Sequence, residues 1–331
     1  MKILIYGVRD YEEDVMNACL KANNVSADMI DVDLTEETIC RAKGYDGISI
    51  QQVREFKEER FFEQLKEYGI KVISSRTAGV DMINLEAAAK NGIIVTNVPR
   101  YSPNAIAELA VSHSLNLLRK CDKVDCRMKK NDFRWKADLL GKEIRSLTVG
   151  IVGTGKIGIT SAKIFKGFGA NVIGYDVFKN KEADGVLTYC DTLEELLKEA
   201  DLVSLHTPSI DSTRYMINKD RLKLMKKSAL LINTSRGDVI NTKDLVEALQ
   251  SGEIAGAGLD TLENEGVFIN KAVTSEIIDG TPLDILQKME NVIITPHVGF
   301  FTETAIENIV SKALENVFEV IKTGDSDCRV N

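Results

Sequence analysis

The amino-acid sequence predicts an α/β fold made of two units, each built around a parallel sheet. Short apolar runs alternate with helix-length amphipathic stretches along the chain, which is the pattern of parallel α/β architecture. The length of 331 residues favours two domains over one. The sequence contains no low-complexity segment and no repeat of solenoid period, so the alternation itself is the main structural signal.

The predicted strands fall into two series, one for each unit. In the first third of the chain they are Lys2–Tyr6, Asp46–Ile50, Val72–Ser75 and Ile93–Thr96. The second series comprises Thr148–Val152, Val172–Tyr175, Leu202–Leu205, Leu230–Asn233, Ala257–Leu259 and Val292–Thr295.

Two helices are predicted near the junctions of the units. Ser102 is suited to cap a helix whose first position is Pro103 and which runs to about Lys120. A second amphipathic helix, from about Thr304 to Ile321, closes the chain.

Composition and charge limit the classes of partner. A formal net charge of -8 and a pI near 5.2 argue against nucleic acid or an anionic membrane held by bulk electrostatics. No apolar stretch approaches the roughly 18 residues that a membrane helix needs, and Met1–Gly7 is interpreted as a strand and not as a signal peptide. The 6 cysteines form no CxxC pair, and no histidine is spaced to complete a zinc site. We therefore expect a soluble cytoplasmic protein with reduced thiols and no metal.

A glycine-rich turn, GTGKIG, follows the first strand of the second series. Gly153 permits a tight turn, Gly155 lets the backbone approach a pyrophosphate, and Gly158 lets the following helix pack closely on the strand. The helix N-terminus then offers N–H groups to phosphates. This context predicts a dinucleotide site. The alternatives are an adenosyl-methionine or flavin site, or a turn that binds nothing.

An acidic residue is placed to select the dinucleotide. Asp176 ends the next strand, 18 residues after Gly158. A carboxylate there accepts hydrogen bonds from the adenosine ribose and repels a 2′-phosphate, which favours NAD over NADP. Lys179 and Lys181 are close enough in sequence to weaken that repulsion.

The chain contains 3 histidines, and they differ in context. His113 lies on the apolar stripe of the helix that starts at Pro103, so we interpret it as a packed or subunit-contact residue. His206 follows a strand end at the edge where a doubly wound sheet binds its nucleotide, so we expect it to line the cofactor site. His297 follows another strand end and precedes Phe300 and Phe301, which makes it the candidate acid–base catalyst.

Charged residues follow two further predicted strands. Because carboxyl ends of parallel strands share one edge, Arg236, Asp260, Glu265 and His297 are expected to converge. The guanidinium of Arg236 suits bidentate binding of carboxylate and carbonyl oxygens. A carboxylate beside His297, such as Glu265, would stabilise the imidazolium.

With these motifs in place, the sequence resembles the D-isomer-specific 2-hydroxyacid dehydrogenases, most closely the D-lactate and (R)-2-hydroxyisocaproate branch. The matching motifs, in chain order, are Arg76–Asp81, Asn97–Glu108, the GTGKIG loop, Asn233–Gly237, Gly256–Asp260 and Thr295–His297. The resemblance implies two Rossmann-like doubly wound parallel-sheet domains with a cleft between them. Residues 1–101 and 300–331 would form the substrate domain, and residues 102–299 the NAD-binding domain.

The resemblance also implies roles for individual residues. The expected catalytic residues are Arg236, Glu265 and His297. The expected substrate contacts are the Ala78 and Gly79 amides, Tyr101, Arg236 and Phe300. With His206 added from its strand-end position, the expected cofactor contacts are Gly153, Gly155, Lys156, Ile157, Gly158, Asp176, His206, Thr207, Pro208, Thr213, Thr234, Ser235, Arg236 and Asp260. Thr213 stands where relatives often carry Asn, and Asp260 matches an aspartate near the nicotinamide carboxamide.

The expected function is NAD-dependent interconversion of a 2-oxo acid and an (R)-2-hydroxy acid, of the D-lactate or (R)-2-hydroxyisocaproate type. The family resemblance further implies a homodimer formed through the cofactor domain, with the helix 102–120 in the interface. The alternatives are a dehydrogenase of a dicarboxylic acid such as (R)-2-hydroxyglutarate, a phosphoglycerate or formate dehydrogenase, and a non-enzymatic NAD-dependent corepressor-like scaffold.

Overall fold

The computed structural model describes residues 1–52 and 54–331. The chain divides into two compact units, one formed by Met1–Ser102 with Phe301–Asn331 and the other by Pro103–Phe300. Each unit contains one sheet in which every strand pairing is parallel. The predicted fold class, two α/β units with Rossmann-like parallel sheets, is therefore confirmed.

The elements are numbered in chain order. The strands are β1 (Ile3–Ile5), β2 (Ala27–Met29), β3 (Gly47–Ile50), β4 (Val72–Ser75), β5 (Ile94–Thr96), β6 (Thr148–Val152), β7 (Asn171–Tyr175), β8 (Thr188–Tyr189), β9 (Leu202–Leu205), β10 (Leu230–Asn233), β11 (Gly256–Leu259) and β12 (Val292–Ile294). The α-helices are α1 (Glu13–Ala22), α2 (Glu59–Glu67), α3 (Leu85–Lys90), α4 (Pro103–Arg119), α5 (Cys121–Met128), α6 (Lys156–Gly167), α7 (Leu193–Glu199), α8 (Lys219–Leu222), α9 (Thr242–Ser251), α10 (Ser275–Ile278), α11 (Pro282–Gln287) and α12 (Glu303–Thr323).

The first unit has a sheet of order β2-β1-β3-β4-β5. Its strands β1, β3 and β4 are buried throughout, as expected for a parallel sheet covered on both faces. Helix α12 packs against β3, β4 and α1 with an apolar stripe of helical period. The side chain of Thr302 caps its start, and Gly324, at φ +85°, ends it. The C-terminal segment therefore belongs to the core of the first unit.

The second unit has a sheet of order β12-β11-β10-β9-β6-β7-β8. The first strand in sequence, β6, lies between β9 and β7, so the strand order reverses beside it. Ligands of doubly wound sheets bind outside the carboxyl ends of the strands at such a switch point. The loop that follows β6 is the predicted glycine-rich turn, and it leads directly into α6.

The sequence did not predict strands β2 and β8. Both lie at sheet edges and are short, and neither contains a buried residue, so they lack the apolar run that marks a parallel strand. In the part of the chain that the structure describes, no helix is long and apolar enough to cross a membrane.

Candidate active site

The imidazole of His297 is hydrogen-bonded to the carboxylate of Glu265. The distance from His297 Nδ1 to Glu265 Oε1 is 2.5 Å, and the two side chains are 32% and 21% exposed. The second carboxylate oxygen, Oε2, accepts from the Leu262 amide at 3.0 Å, which fixes the carboxylate. Because Nδ1 is engaged, Nε2 is the ring nitrogen left for proton transfer.

Asp260 holds the turn that carries His297. Its Oδ1 accepts from the Thr295 hydroxyl at 2.5 Å and from the Val298 amide at 2.9 Å, and its Oδ2 accepts from the Gly299 amide at 2.8 Å. His297 itself has φ +56°, a left-handed conformation that is uncommon outside glycine. Both oxygens of the Asp260 carboxylate thus accept hydrogen bonds from residues of this turn and stabilise it. Sequence reasoning placed Asp260 at the cofactor and did not foresee this role.

Arg236 follows β10 at the same sheet edge as the His297 turn. Its loop is shaped by Asn233, whose Nδ2 donates to the Arg236 carbonyl at 2.9 Å. The next residue, Gly237, packs so closely that an added Cβ would lie 2.2 Å from the Leu262 carbonyl oxygen. The Arg236 loop and the segment leading to Glu265 are therefore in backbone contact.

The glycine-rich loop has the close approaches that its spacing predicts. A Cβ on Gly153 would lie 2.6 Å from the His206 carbonyl oxygen, and a Cβ on Gly158 would lie 1.9 Å from the Gly153 carbonyl oxygen. In contrast, no described atom lies within 4 Å of a Cβ built on Gly155, the N-cap of α6. The loop thus packs closely against its neighbours at Gly153 and Gly158, whereas Gly155 faces open space. Lys156 and Ile157 form the first turn of α6, with the Lys156 ammonium bound to Glu182.

Asp176 is oriented by residues of the loop. Its Oδ2 accepts from the Thr154 amide at 2.6 Å and hydroxyl at 3.2 Å, and its Oδ1 accepts from the Phe178 amide at 3.1 Å. The Thr154 hydroxyl also lies 2.7 Å from the hydroxyl of Tyr189. Sequence reasoning gave Thr154 no role, although it lies inside the predicted loop, and it missed Tyr189 because a two-residue edge strand gives no apolar pattern.

The remaining predicted cofactor contacts lie on loops that follow β9 and β10. His206 Nε2 is 2.9 Å from the Ser204 hydroxyl, and burial lowers the pKa of His206 to about 4. Pro208 and Thr213 form one closed loop, since the Thr213 hydroxyl donates to the Pro208 carbonyl at 2.6 Å. Ser235 is held by its hydroxyl donating to the Asn233 side chain at 2.8 Å.

Several buried polar atoms at this edge have no partner among the described residues. They are His206 Nδ1, Thr207 Oγ1, Thr234 Oγ1 and Thr261 Oγ1. Unpaired buried polar atoms are rare and indicate a missing partner. Together with the open space above Gly155, they fit a bound dinucleotide. Among the described residues, no group of three or more His, Cys, Asp or Glu is arranged to hold a metal ion.

In the first unit, Ala78 and Gly79 lie in the loop that follows β4. Neither of their amide N–H groups donates to another described residue. These two N–H groups are therefore available to donate to an anion such as a carboxylate. Tyr101 lies in the same unit, where the Asn308 side chain donates to its carbonyl at 2.7 Å. Phe300 is the last residue of the second unit.

The other predicted histidine is a packed residue. His113, in α4, is 3% exposed, and burial lowers its pKa. Its Nε2 lies 3.3 Å from the Thr295 hydroxyl, and its ring packs on Gly258 so closely that a Cβ there would lie 3.1 Å from Nδ1. His113 therefore supports the strands that carry Asp260 and His297.

A buried ion pair in the first unit was not foreseen from the sequence. Arg76 Nε donates to Glu12 Oε1 at 3.0 Å, and Arg76 Nη2 donates to the carbonyls of Tyr6 and Gly7 at 3.0 and 3.1 Å. Both charged side chains have no exposed surface. The charge of Arg76 is thus fully matched inside the protein and is not offered to a ligand.

Comparison with known proteins agrees with this geometry. Residues 111–299 match the family model for the NAD-binding domain of D-isomer specific 2-hydroxyacid dehydrogenases. The chain is 54% identical to a D-2-hydroxyacid dehydrogenase (NAD(+)) of Clostridioides difficile and 43% identical to a D-lactate dehydrogenase of Streptococcus agalactiae, with 100% of each chain covered. It is also similar to the solved structure of a D-2-hydroxyisocaproate dehydrogenase, with a TM-score of 0.91, 36% identity, and coverage of 100% of this chain and 99% of that one.

The family resemblance seen in the motifs is therefore confirmed over the whole length of the chain. This chain belongs to the D-isomer-specific 2-hydroxyacid dehydrogenase family of NAD-dependent oxidoreductases.

Proposed function

We propose that this protein interconverts pyruvate or 2-oxoisocaproate and the corresponding (R)-2-hydroxy acid, with Arg236, Glu265 and His297 as catalytic residues. The observation that carries the proposal is the 2.5 Å contact between His297 and Glu265, on loops at the carboxyl edge of the second sheet. That edge also carries Arg236 and the glycine-rich loop.

His297 moves the proton at the substrate oxygen. In the reductive direction its Nε2 protonates the oxygen on C2, and in the oxidative direction the neutral Nε2 accepts the hydroxyl proton. Glu265 keeps the ring oriented through Nδ1 and stabilises the imidazolium. The guanidinium of Arg236 binds the substrate carboxylate and carbonyl oxygens and stabilises charge developing on the carbonyl.

The chain's own residues fit NAD. The open space above Gly155 would admit the pyrophosphate, and the N-terminus of α6 would offer it N–H groups. Asp176 would bind the ribose hydroxyls. The unpaired Thr207 and Thr234 hydroxyls and the Ser235, Pro208 and Thr213 loops would contact the rest of the dinucleotide. When bound, NAD supplies or accepts the hydride at C2.

The Ala78 and Gly79 amides would bind the substrate carboxylate, because their N–H groups lack partners among the described residues. Tyr101 and Phe300 would contact the substituent on C2. In this proposal residues 1–101 and 300–331 bind the substrate and residues 102–299 bind the cofactor, which differs by one residue at each boundary from the two compact units. Relatives that carry the names D-lactate dehydrogenase and D-2-hydroxyisocaproate dehydrogenase support a small or branched apolar substituent.

The proposal includes a homodimer that acts in the cytoplasm. Between α5 and β6, large apolar side chains are exposed: Phe133 by 65%, Trp135 by 100% and Leu140 by 78%. Exposed apolar groups of this size indicate a protein interface, and a second copy of the cofactor unit is the partner that the family resemblance implies. All 6 cysteines are free, which suits a reducing compartment. Light scattering should give a dimer mass, and Trp135→Lys should shift it toward the monomer.

The experiment that tests the activity measures NADH oxidation by the purified protein with pyruvate and 2-oxoisocaproate. Chiral analysis of the product should give the (R) acid, and (R)-lactate but not (S)-lactate should reduce NAD. An (S) product would overturn the stereochemical assignment. If NADH binds but none of the 2-oxo acids is reduced, the protein acts as an NAD-dependent scaffold and the proposal is wrong.

A further inference from the structure

Every carbonyl oxygen of the loop Thr77–Gly79 has a donor. The Val98 amide donates to the Thr77 carbonyl at 2.9 Å, and the Asn97 side-chain Nδ2 donates to the Ala78 carbonyl at 2.6 Å. The Gly79 carbonyl accepts from the Thr77 hydroxyl at 2.5 Å. Each of the three successive carbonyls thus accepts a hydrogen bond from a different donor. In contrast, the amides of Ala78 and Gly79 donate to no described residue.

Because the peptide group is planar, a hydrogen bond to the carbonyl of one residue also fixes the direction of the N–H group of the next residue. In a trans peptide the carbonyl of one residue and the N–H of the next point in opposite directions. The bond to the Thr77 carbonyl therefore fixes the N–H of Ala78, and the bond from Asn97 to the Ala78 carbonyl fixes the N–H of Gly79. By the same rule, the Thr77 hydroxyl fixes the N–H of Val80.

We propose that Asn97 and Thr77 are positioning residues for the carboxylate of the 2-oxo acid: Asn97 aims the amide of Gly79 at it, and Thr77 aims the amide of Val80, which also donates to no described residue. This inference rests on the proposed function, in which that loop binds the carboxylate. Without these donors, each peptide plane is free to rotate, and its carbonyl oxygen can turn toward the anion. A carbonyl oxygen so placed repels a carboxylate, so substrate binding weakens through the loop and not through the cofactor unit.

Asn97 is itself anchored by the C-terminal part of the chain. Its carbonyl accepts from Nδ2 of Asn316, a fully buried residue of α12, at 3.0 Å, and its amide donates to the Cys328 carbonyl at 3.2 Å. Asn97 is 8% exposed, so water cannot easily replace its bond to Ala78. The C-terminal helix thus contributes to substrate recognition through the Asn97 side chain.

Thr77 has a defined hydrogen-bond direction. Its hydroxyl has one hydrogen, which it uses on the Gly79 carbonyl, so the Ser75 hydroxyl must be the donor in its 2.6 Å contact with Thr77 Oγ1. Valine at position 77 keeps the shape of threonine but removes the donor. Serine keeps the donor, so the two variants separate the hydrogen bond from the packing.

The test compares Asn97→Leu, Thr77→Val and Thr77→Ser with the wild-type enzyme. For the first two variants we expect the KM for pyruvate and the inhibition constant of oxamate, a carboxylate analogue of pyruvate, to rise about tenfold, which corresponds to about 1.4 kcal/mol. The kcat and the Kd for NADH, measured by fluorescence, should stay within about threefold, because the loop lies in the other unit. Thr77→Ser should restore the wild-type KM.

The matched control is Ser74→Ala, in the neighbouring strand β4. It removes a buried hydroxyl that donates to the Ala313 carbonyl at 2.8 Å and does not contact the loop. We expect it to lower the Tm but leave the KM unchanged. If Asn97→Leu does not fold, the pair Thr77→Val and Thr77→Ser decides the matter alone. Wild-type KM in Thr77→Val and in folded Asn97→Leu would overturn this inference, whereas a wild-type enzyme that reduces no 2-oxo acid would overturn the proposed function instead.

Discussion

Glu265 Oε1 lies 2.5 Å from Nδ1 of His297, on a turn in which His297 adopts φ +56°. The left-handed conformation is held by Asp260, whose carboxylate accepts from Val298 and Gly299 on the far side of the histidine. One carboxylate therefore shapes the turn, and the other orients the imidazole. This division of roles leaves Nε2 of His297 as the proton-transfer atom, and it leads to two separate predictions.

Replacing His297 by alanine should lower kcat/KM for 2-oxo acid reduction by about 10² to 10⁴-fold, the usual contribution of a positioned acid–base group. The Kd for NADH should change little, because the cofactor loop follows a different strand. Steady-state kinetics at pH 7 with fluorescence titration of NADH measures both quantities. A His297→Ala enzyme with wild-type turnover would remove this residue from the mechanism.

Replacing Glu265 by glutamine should lower kcat for 2-oxo acid reduction by about tenfold, or about 1.4 kcal/mol, because a neutral amide holds the His297 ring less firmly than the carboxylate does. Steady-state kinetics with pyruvate measures the loss. The matched variant Glu263→Gln removes a nearby carboxylate that is bound to Tyr215 and Thr242 instead, and it should leave kcat unchanged.

Asp176 should make the enzyme discriminate against NADPH. Its carboxylate is fixed by Thr154, so it cannot turn away from a 2′-phosphate, and repulsion of that charge should cost about 2.7 kcal/mol, or about a hundredfold in kcat/KM. Asp176→Ala should bring the ratio for NADH over NADPH toward one. Lys179→Ala should not change it, because the Lys179 ammonium lies 3.6 Å from Asp191. A wild-type ratio near one would show that lysines override Asp176.

The buried strands and the contact between Glu265 and His297 could be predicted from the sequence, whereas contacts that depend on tertiary packing could not. Fully buried strands such as β9 and β10 were predicted to the residue, because a short, mostly apolar run is sufficient to mark them. The pairing of Glu265 with His297 followed from the rule that strand ends share an edge. The pairing of Arg76 with Glu12 could not be predicted in this way. The two residues are 64 positions apart, and the sequence around each of them resembles that of an ordinary charged residue on the surface. The bracing role of Asp260 depends on a turn geometry that no periodicity encodes.

His206 should make the folded state sensitive to acid. Burial lowers its pKa to about 4, whereas an unfolded histidine titrates near 6.5. Between these values the unfolded chain binds a proton that the folded chain excludes, so this contribution to stability is complete above pH 6.5 and is lost as the pH falls toward 4. At pH 5 the loss should be about 2 kcal/mol. Urea unfolding at pH 8 and pH 5 should show this extra loss in the wild type but not in His206→Gln.

The expected substrate preference depends on whether an arginine of the first unit is available to bind a second substrate carboxylate. A second substrate carboxylate would need a cation, because an unpaired buried charge costs several kcal/mol. Arg76 is paired with Glu12 and has no exposed surface, and Arg9 lies 3.8 Å from Asp33. Arg54 and Arg100 are exposed.

We therefore expect kcat/KM for pyruvate or 2-oxoisocaproate to exceed that for 2-oxoglutarate and oxaloacetate by at least about tenfold. A panel of NADH oxidation rates with these four acids and phenylpyruvate measures the preference. A higher value for 2-oxoglutarate than for pyruvate would mean that one of the exposed arginines turns inward on binding. In that case Arg54→Ala and Arg100→Ala identify the arginine, since the one that binds the second carboxylate should lose activity with 2-oxoglutarate and keep it with pyruvate.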